Sequence, residues 1–385
     1  MKKQIGQPHM INMVNRNLIL EIIKEKGPIS KPDIVKITKL SLPTVNKIIS
    51  ILQEEGVVKE FGIGETRSGR KPILYTINGE AGLVIAIYIE DNQVNGVLAD
   101  IMGEFLNEGI IKRNFTSTQE VLKVMFELID HLISKVKSPE DIKAIGVGVP
   151  GVVRKDGTIF NIFSIPEWEG INLKEILEAR YNKPIFLEND VNLTAVGIYH
   201  DRLSKKYKNI AYLYFGKGIG SGIIIDNKLY RGANCFAGEI SNLIMNIDDN
   251  FEDKERYTLL IESQISKLIR TIMKNKGISD TSELKEILEN IDDNDADLLQ
   301  LVNYISYVMN NVICILDPEM VILRGDYIGK KFFSRVKKNV IKLNNIENHT
   351  KIILLEESDA GIKGTINLCL SQINPNYLLV INRGI

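Results

Sequence analysis

The apolar residues of the first 56 positions repeat every three to four residues, which is the period of an amphipathic helix. This pattern predicts three short helices, separated by Gly27-Pro28 and by the turn Lys39-Leu40-Ser41. Ser41 is suited to cap the third helix, residues 41–54. The apolar stripe of that helix consists of Val45, Ile48, Ile49 and Leu52.

Two strand-like stretches follow at residues 57–61 and 73–77, and the segment between them is basic and rich in glycine. Such a pair of stretches predicts a β-hairpin with a flexible tip. Three helices with a tight turn before the third, followed by a hairpin, are typical of a winged helix-turn-helix domain. We place this domain at residues 1–79.

A winged helix-turn-helix predicts contacts with DNA, because the third helix can enter the major groove while the hairpin, or wing, meets the backbone. The candidate residues carry groups that bond to base edges or phosphates. They are Ser41, Thr44, Asn46 and Lys47 on the helix, and Arg67, Arg70 and Lys71 on the wing. The alternative is a packing module of three helices with a solvated basic loop.

Beyond residue 80, strands and helices of an α/β body follow one another. An apolar strand at residues 83–89 and two further strands precede a helix at 118–134, which predicts a first mixed lobe. A strand at 210–215 begins a second lobe. Polar residues come directly after several strands, and strand ends are where open α/β sheets bind ligands. The body is therefore expected to hold a ligand site.

Two of these polar segments carry candidate chemistry. Glu188-Asn189-Asp190 offers a carboxylate that could orient or deprotonate a hydroxyl, or Asp190 could cap the next helix. The glycines of the second segment would let backbone amides approach a phosphate, although the turn of a hairpin would also need glycine. These glycines are Gly216, Gly218, Gly220 and Gly222.

The distribution of charge separates the two parts further. The 385-residue chain has a formal net charge of −1, but residues 1–80 hold 13 Lys and Arg against 8 Asp and Glu, and the rest holds 35 against 41. A basic segment on an acidic body suggests partners of two kinds. Three scattered cysteines, and no apolar run long enough for a signal peptide or a membrane span, predict a cytoplasmic protein without a membrane partner.

Taken together, these segments resemble the ROK family of repressors, open reading frames and sugar kinases over nearly the whole chain. The matching segments are Gly27-Pro28-Ile29-Ser30 through Glu60, Ser68-Gly69-Arg70-Lys71-Pro72, Gly146 through Pro150-Gly151, Glu188-Asn189-Asp190, Gly216 to Gly222, Leu229-Tyr230-Arg231-Gly232, Ala237-Gly238-Glu239-Ile240 and Gly325. The resemblance implies an α/β fold in which the winged helix precedes a two-lobed, actin-like sugar-kinase (ribonuclease H-like) body at residues 80–385. It also implies a ligand cleft between the lobes and dimerisation through the body.

A sugar site is a further implication of the resemblance. Its residues would be Gly151, Asn189, Asp190, Glu239, Asn242 and Glu262. Their carboxylates and amides can donate to and accept from sugar hydroxyls. Asn242 would stand in for a family histidine. Trp168 could stack on a sugar face, although packing in the protein interior is the favoured interpretation.

The sequence departs from the kinases of the family at three places. Tyr88, Glu90 and Asn92 replace the Asp, Gly and Thr of a phosphate-holding Asp-x-Gly-x-Thr motif, and the carboxylates of Glu90 and Asp91 would repel polyphosphate. Ser241-Asn242 replaces Gly-His. An acidic segment at residues 246–257 replaces a cysteine cluster that binds zinc, so we expect neither a metal site nor a cofactor.

These features predict a sugar-responsive DNA-binding regulator, a repressor of carbohydrate-utilisation genes rather than an enzyme. Its expected partners are operator DNA, a small sugar and further copies of the chain, in a homodimer or a dimer of dimers. One alternative is an ATP-dependent sugar kinase, of glucose or N-acetylhexosamine type, with an appended DNA-binding segment and Asp190 as its catalytic base. Another is a DNA-binding protein whose cleft no longer binds a ligand.

Overall fold

The computed structural model describes residues 8–65, 71–90, 93–112, 118–161, 166–204, 206–244, 260–278, 281–343, 350–356 and 359–373. The chain divides into two compact units. Unit 1 comprises Met1–Gly148, Lys174–Leu187 and Thr365–Ile385, and unit 2 comprises Val149–Leu173 and Glu188–Gly364. The domain boundary predicted at residue 79 lies inside unit 1 and stays a prediction.

The first part of unit 1 is the winged helix-turn-helix that the sequence predicts. Its elements are α1 (Pro8–Lys26), β1 (Ile29–Ser30), α2 (Lys31–Thr38), α3 (Leu42–Glu54), β2 (Val58–Ile63) and β3 (Ile73–Ile77). The three strands form an antiparallel sheet in the order β1-β3-β2. The wing is the hairpin of β2 and β3, which confirms the pairing expected from the sequence.

Serine side chains set the starts of α2 and α3. The hydroxyl of Ser30 accepts a hydrogen bond from the Asp33 N–H, and that of Ser41 accepts one from the Thr44 N–H, each at 3.3 Å. These bonds satisfy amides that have no partner within their own helix. The apolar stripe of α3 is buried, and the helix contacts both α1 and α2. Helical spacing therefore predicted the buried face of α3.

The rest of unit 1 is built on a five-stranded mixed sheet. Its strands are β4 (Leu83–Glu90), β5 (Gln93–Asp100), β6 (Phe105–Lys112), β7 (Ile142–Val149) and β10 (Ile185–Asn189), in the order β10-β7-β4-β5-β6. Strands β4, β5 and β6 are antiparallel neighbours, whereas β7 runs parallel to β4. The helices are α4 (Thr118–Ile133), which packs on β5 and β6, and most of α5 (Leu173–Tyr181) and α11 (Ala360–Ile373), both of which begin in unit 2.

Unit 2 holds a second five-stranded sheet, with the strand order β13-β12-β11-β14-β15. These strands are β11 (Ile210–Phe215), β12 (Ile219–Ile225), β13 (Lys228–Leu229), β14 (Met320–Arg324) and β15 (Lys351–Leu354). Strands β8 (Val152–Val153) and β9 (Ile159–Phe160) form a separate small hairpin. The helices of the unit are α6 (Asp190–Ile198), α7 (Ile261–Lys276), α8 (Thr281–Asn290), α9 (Ala296–Leu316) and α10 (Lys330–Leu343).

Helix α9 is 21 residues long and apolar enough, by length and composition, to cross a membrane. In the structure, however, 50% of its most apolar window is buried inside the protein. Leu301, Ile305 and Met309 are fully enclosed in the main hydrophobic cluster of unit 2, and α9 packs against both α7 and α10. We therefore assign α9 to the core of unit 2.

Candidate functional site

The outer face of α3 carries the predicted DNA-reading side chains. Asn46 and Lys47 are exposed, as is Ser50, because they lie off the buried stripe of the helix. Ser41 and Thr44 are bonded to each other through their hydroxyls at 2.8 Å. The helix thus presents an amide and an ammonium group at its surface, while the two hydroxyls hold its N-terminus.

The wing contributes both charge and apolar surface. Lys71 is exposed, whereas Arg67 and Arg70 lie outside the described residues. The side chains of Phe61 and Ile63, which the sequence pattern did not single out, are 65% and 72% exposed. A register irregularity in β2 leaves Phe61 as an extra residue opposite β3, and such bulges redirect side chains.

Three predicted sugar-site residues meet at the junction of β10 and α6: Gly151, Asn189 and Asp190. Oδ1 of Asn189 accepts from the Asn192 N–H at 3.0 Å, and Nδ2 of Asn189 donates to the Gly151 carbonyl at 2.9 Å. Asp190 is the first residue of α6, and its Oδ1 accepts from the Val191 N–H at 2.8 Å. The helix cap is therefore Asn189, and the alternative in which Asp190 caps the helix is wrong.

Glu188 is a buried carboxylate beside this junction. It accepts from Nε of Arg231 at 2.5 Å, and from Nδ2 of Asn192 and the Asn189 N–H at 3.0 Å each. A buried charge is tolerated when it is paired and hydrogen-bonded in this way. Glu188 therefore ties the β10–α6 junction to the loop after β13, a structural role that the sequence did not reveal.

Glu239 immediately precedes a short 3₁₀ helix, Ile240–Asn242. Its Oε2 accepts from Nδ2 of Asn161 at 2.8 Å. Burial raises the pKa of Glu239 to about 7, with a smaller contribution from the charge of Glu262 and against the opposing effect of the Asn161 hydrogen bond. At neutral pH this carboxyl group is consequently divided between a form that accepts hydrogen bonds and a form that can also donate one.

Glu262 lies in the first turn of α7, where burial raises its pKa. The start of α7 is tied to the Glu239 segment because the Leu243 carbonyl accepts from the Ile261 N–H at 2.8 Å. Asn242 ends the short helix between them, with a half-buried side chain. We call Asn161, Glu239, Asn242 and Glu262 the acid–amide cluster. Its acceptors and donors are suited to a ligand with many hydroxyls.

The glycine-rich segment forms a β-hairpin. Gly216 and Gly218 belong to its turn, whereas Gly220 and Gly222 lie within β12 and pair with tyrosines of β11. A Cβ atom on Gly222 would be 2.4 Å from the Cβ of Ala195, so glycine at this position lets α6 pack directly on β12. The strand pairing shows that this segment is a hairpin, and phosphate binding at its turn stays a prediction.

A carboxylate occupies the turn of this hairpin. Oδ2 of Asp326 accepts from the Lys217 N–H at 3.2 Å, and both of its oxygens accept from the Tyr214 hydroxyl at 3.0 Å. A phosphate at this turn would meet the negative charge of Asp326 and compete with it for the amide. The sequence did not single out Asp326, because it lies more than a hundred residues beyond the hairpin.

Two protein-family models match the chain. A model described as winged helix-turn-helix DNA-binding matches residues 15–59. A model described as ROK family matches residues 84–371, which is well over half of the sequence. The chain belongs to the ROK family.

Relatives of this ROK protein match both of its parts. The xylose repressor of Caldicellulosiruptor bescii is 28% identical over 97% of this chain and 98% of its own length. The xylose repressor of Bacillus subtilis is 29% identical over 84% and 85%. Both of these relatives are thus named repressors rather than kinases.

Solved structures confirm the predicted fold class. A ROK family transcriptional regulator, described as a homologue of the Escherichia coli MLC protein, has a TM-score of 0.73 at 17% identity and covers 97% of this chain and 98% of that one. A ROK hexokinase from Thermus thermophilus has a TM-score of 0.60 at 20% identity and covers 74% and 96%. The fold is therefore a winged helix-turn-helix joined to a sugar-kinase-like α/β body.

Strand β4 differs in sequence from the strand that carries the phosphate-holding Asp in ROK kinases. Tyr88, at that position, is 5% exposed and pairs with Asn95 across β4 and β5. Glu90 is the last residue of β4, and Asn92 lies outside the described residues. A buried phenol followed by a carboxylate offers poor surroundings for a polyphosphate.

Two further sequence predictions concern other ligands of this ROK protein. Trp168 is 0% exposed, so the packing interpretation is confirmed and the side chain does not offer a face to a sugar. In the part of the chain that the structure describes, no group of three or more His, Cys, Asp or Glu residues could hold a metal ion. The acidic segment 246–257, expected to replace a zinc site, lies outside that part.

Proposed function

We propose that this protein is a sugar-responsive repressor that binds operator DNA through its winged helix-turn-helix and a small sugar through its acid–amide cluster. The observation that carries the proposal is the similarity to a xylose repressor over 97% of this chain and 98% of that protein. A match of that extent includes both the DNA-binding part and the body. The exposed Asn46 and Lys47 on α3 support the DNA-binding half of the proposal.

The ligand that we propose is an uncharged sugar, and D-xylose is the first candidate. Relatives from two organisms are named xylose repressors. The cluster consists of carboxyl and amide groups, which bond to hydroxyls and would repel the phosphate of a sugar phosphate. Asn189 and Gly151, joined to each other by a hydrogen bond, complete the proposed set together with Asp190.

We also propose a homodimer, which would place two α3 helices on operator half-sites roughly 34–36 Å apart or a multiple of that spacing. The sugar would favour an arrangement of the protein that has low affinity for the operator. A protein that acts on chromosomal operators in this way would work in the cytoplasm.

The test is operator binding by the purified protein, measured by fluorescence anisotropy on DNA fragments from upstream of its own gene. We expect sequence-specific binding that D-xylose, or another sugar of a small panel, weakens by about 5- to 150-fold, the usual range of allosteric coupling. A protein that shows no sequence-specific binding at any salt concentration would sink the proposal.

An ADP-release assay with the same sugars separates the repressor from the sugar-kinase alternative. We expect no turnover above background, because Tyr88 and Glu90 stand where a kinase needs a phosphate-holding strand end. Clear turnover that disappears in the variant Asp190→Asn would reverse the ranking of the two functions.

A further inference from the structure

Asn161 joins two segments of unit 2 that lie 78 residues apart in sequence. Its Nδ2 donates to Oε2 of Glu239 at 2.8 Å. Its backbone is left-handed, with φ of 53°, a conformation that asparagine adopts more readily than most residues. Because Asn161 directly follows β9, the small hairpin of β8 and β9 fixes its backbone on one side.

A second contact joins the same two segments. The rings of Phe160 and Phe236 are stacked, with centroids 6.5 Å apart and planes inclined by 16°. The guanidinium carbon of Arg154 lies 4.5 Å from the centroid of the Phe160 ring. Since Phe236 precedes Glu239 by three residues, the loop that carries Glu239 is held to the hairpin at two points.

Strand β12 anchors the backbone of the loop that carries Glu239. The Gly238 carbonyl accepts from the Ser221 N–H at 2.8 Å and from the Ser221 hydroxyl at 3.1 Å. A Cβ atom on Gly238 would lie 2.0 Å from the Ser221 carbonyl oxygen, and φ is +94°, so glycine is required there. With the backbone fixed in this way, Asn161 sets the orientation of the Glu239 side chain.

We propose that Asn161 is a positioning residue of the sugar site, which holds Oε2 of Glu239 and leaves Oε1 to accept a hydroxyl of the sugar. The inference rests on the proposed function, because it assumes that Glu239 contacts the effector. A carboxyl group free to rotate would lose the alignment that a directional hydrogen bond needs.

The same hydrogen bond adjusts the proton affinity of the carboxyl group. Burial raises the pKa of Glu239, the Asn161 hydrogen bond lowers it and the charge of Glu262, on α7, raises it, and the result is about 7. Two cations of the segments that meet at Glu239 have other partners: Arg154 lies over the Phe160 ring, and Arg231 is paired with Glu188. Removal of the Asn161 amide is therefore expected to move the titration of Glu239 to higher pH.

The variant Asn161→Gly removes the amide without straining the left-handed backbone. Asn182→Gly is its matched control, because Asn182 is also left-handed, with φ of 49°, and lies exposed in unit 1. The measurement is calorimetric titration of the full-length proteins with D-xylose, D-glucose and N-acetyl-D-glucosamine across neutral pH.

For a sugar that binds, we expect the unaltered protein and Asn182→Gly to gain affinity together as Glu239 ionises near neutral pH. Asn161→Gly should bind about tenfold more weakly at neutral pH, since a hydrogen bond to a charged group is involved. Its gain in affinity should occur at higher pH. The second variant, Asn161→Asp, places a like charge beside Glu239 and should shift the titration further upward.

The possible results separate this inference from the proposed function. If the unaltered protein binds sugar, and Asn161→Gly or Asn161→Asp keeps both its affinity and its pH midpoint, Asn161 has no positioning role and the proposed function still stands. If the unaltered protein binds none of the three sugars, the proposed function and this inference fail together. Should Asn161→Gly not fold, the isosteric Asn161→Asp decides the question alone.

Discussion

Glu188 and Glu239 are both largely enclosed carboxyl groups, but their partners give them different chemistry. Glu188 is paired with Arg231 and two amides, so its charge is balanced and its acceptors are occupied. Glu239 has an amide donor and a neighbouring carboxyl group, and its pKa rises to about 7. At the scale of single residues, the nature of the nearest partner therefore separates a structural carboxylate from one that is suited to a ligand.

The raised pKa of Glu239 predicts a specific dependence of stability on pH. A carboxyl group whose pKa is higher in the folded state, about 7 against 4.5, stabilises the fold below pH 4.5, and this contribution is lost as the pH rises to 7. The neutral variant Glu239→Gln should escape that loss. At pH values above 7 its free energy of unfolding should exceed that of the unaltered protein by up to about 3 kcal/mol.

Urea unfolding followed by the fluorescence of Trp168, the single tryptophan, measures this difference in unit 2. The matched control is Glu283→Gln, a change of an exposed residue on α8 that should leave the difference at zero. A difference between Glu239→Gln and the unaltered protein that stays constant from acid to alkaline pH would contradict the prediction.

At the scale of elements, helix α3 keeps one surface available, whereas strand β12 is committed to the fold. Helix α3 buries its stripe and exposes Asn46 and Lys47. Strand β12 pairs on both edges, and Gly222 lets α6 rest on its face, so its backbone is committed to the fold. The first element is free to meet a macromolecule, and the second is not.

The exposed ammonium group of α3 predicts a change in the salt dependence of operator binding. If Lys47 contacts a phosphate, Lys47→Ala should lower the slope of log Kd against log salt concentration by about one. Anisotropy titrations at several salt concentrations measure that slope. Lys285→Ala, on the exposed surface of α8, is the control and should leave it unchanged. An unaltered slope for Lys47→Ala would remove this residue from the interface.

The packing role of Gly222 predicts that substitutions at two glycines of the same hairpin have unequal effects. Because a Cβ atom at Gly222 would collide with Ala195, Gly222→Ala should destabilise unit 2 by about 1–3 kcal/mol, the usual cost of overpacking. Gly218→Ala is a matched control in the same hairpin, since a Cβ there has nothing within 4 Å, and it should change stability by less than about 0.5 kcal/mol. Equal effects of the two changes in urea unfolding would count against the packing explanation.

At the scale of the whole molecule, a DNA-binding surface and a proposed sugar site belong to different units of one chain. Asn46 and Lys47 lie in unit 1, and the acid–amide cluster lies in unit 2. A regulator whose two sites belong to different units couples the two binding events through the energy of its conformations.

Thermodynamic linkage gives a prediction at this scale. If sugar lowers the affinity for operator DNA by a given factor, a saturating operator duplex must lower the affinity for sugar by the same factor. Calorimetric titration of sugar into the protein, with and without the duplex, measures the second factor. In the absence of DNA, sugar at about 100 times its Kd should stabilise the folded protein by about 2.7 kcal/mol. A sugar affinity that the operator leaves unchanged would exclude the repressor mechanism.

Short-range patterns predicted much of this fold. The three N-terminal helices, the wing and the strands β4 and β11 follow from the period of apolar residues, which depends on neighbours close in sequence. The sequence pattern did not predict α5, α10 or α11. The pattern also placed β12 inside a glycine-rich loop, because glycine has a low strand propensity. Glycine occurs in β12 because it allows α6 to pack closely on the strand.

Residue identity and order were enough to place this chain in its family and to indicate DNA as a partner of its N-terminal domain. They also identified Glu239, Asn242 and Glu262 as candidate sugar-site residues. The partners of Glu239 and Glu188 required the folded chain. Asn161 meets Glu239 across 78 residues and Arg231 meets Glu188 across 43. Contacts of that range depend on how strands and loops are arranged in space, and no periodicity along the sequence encodes them.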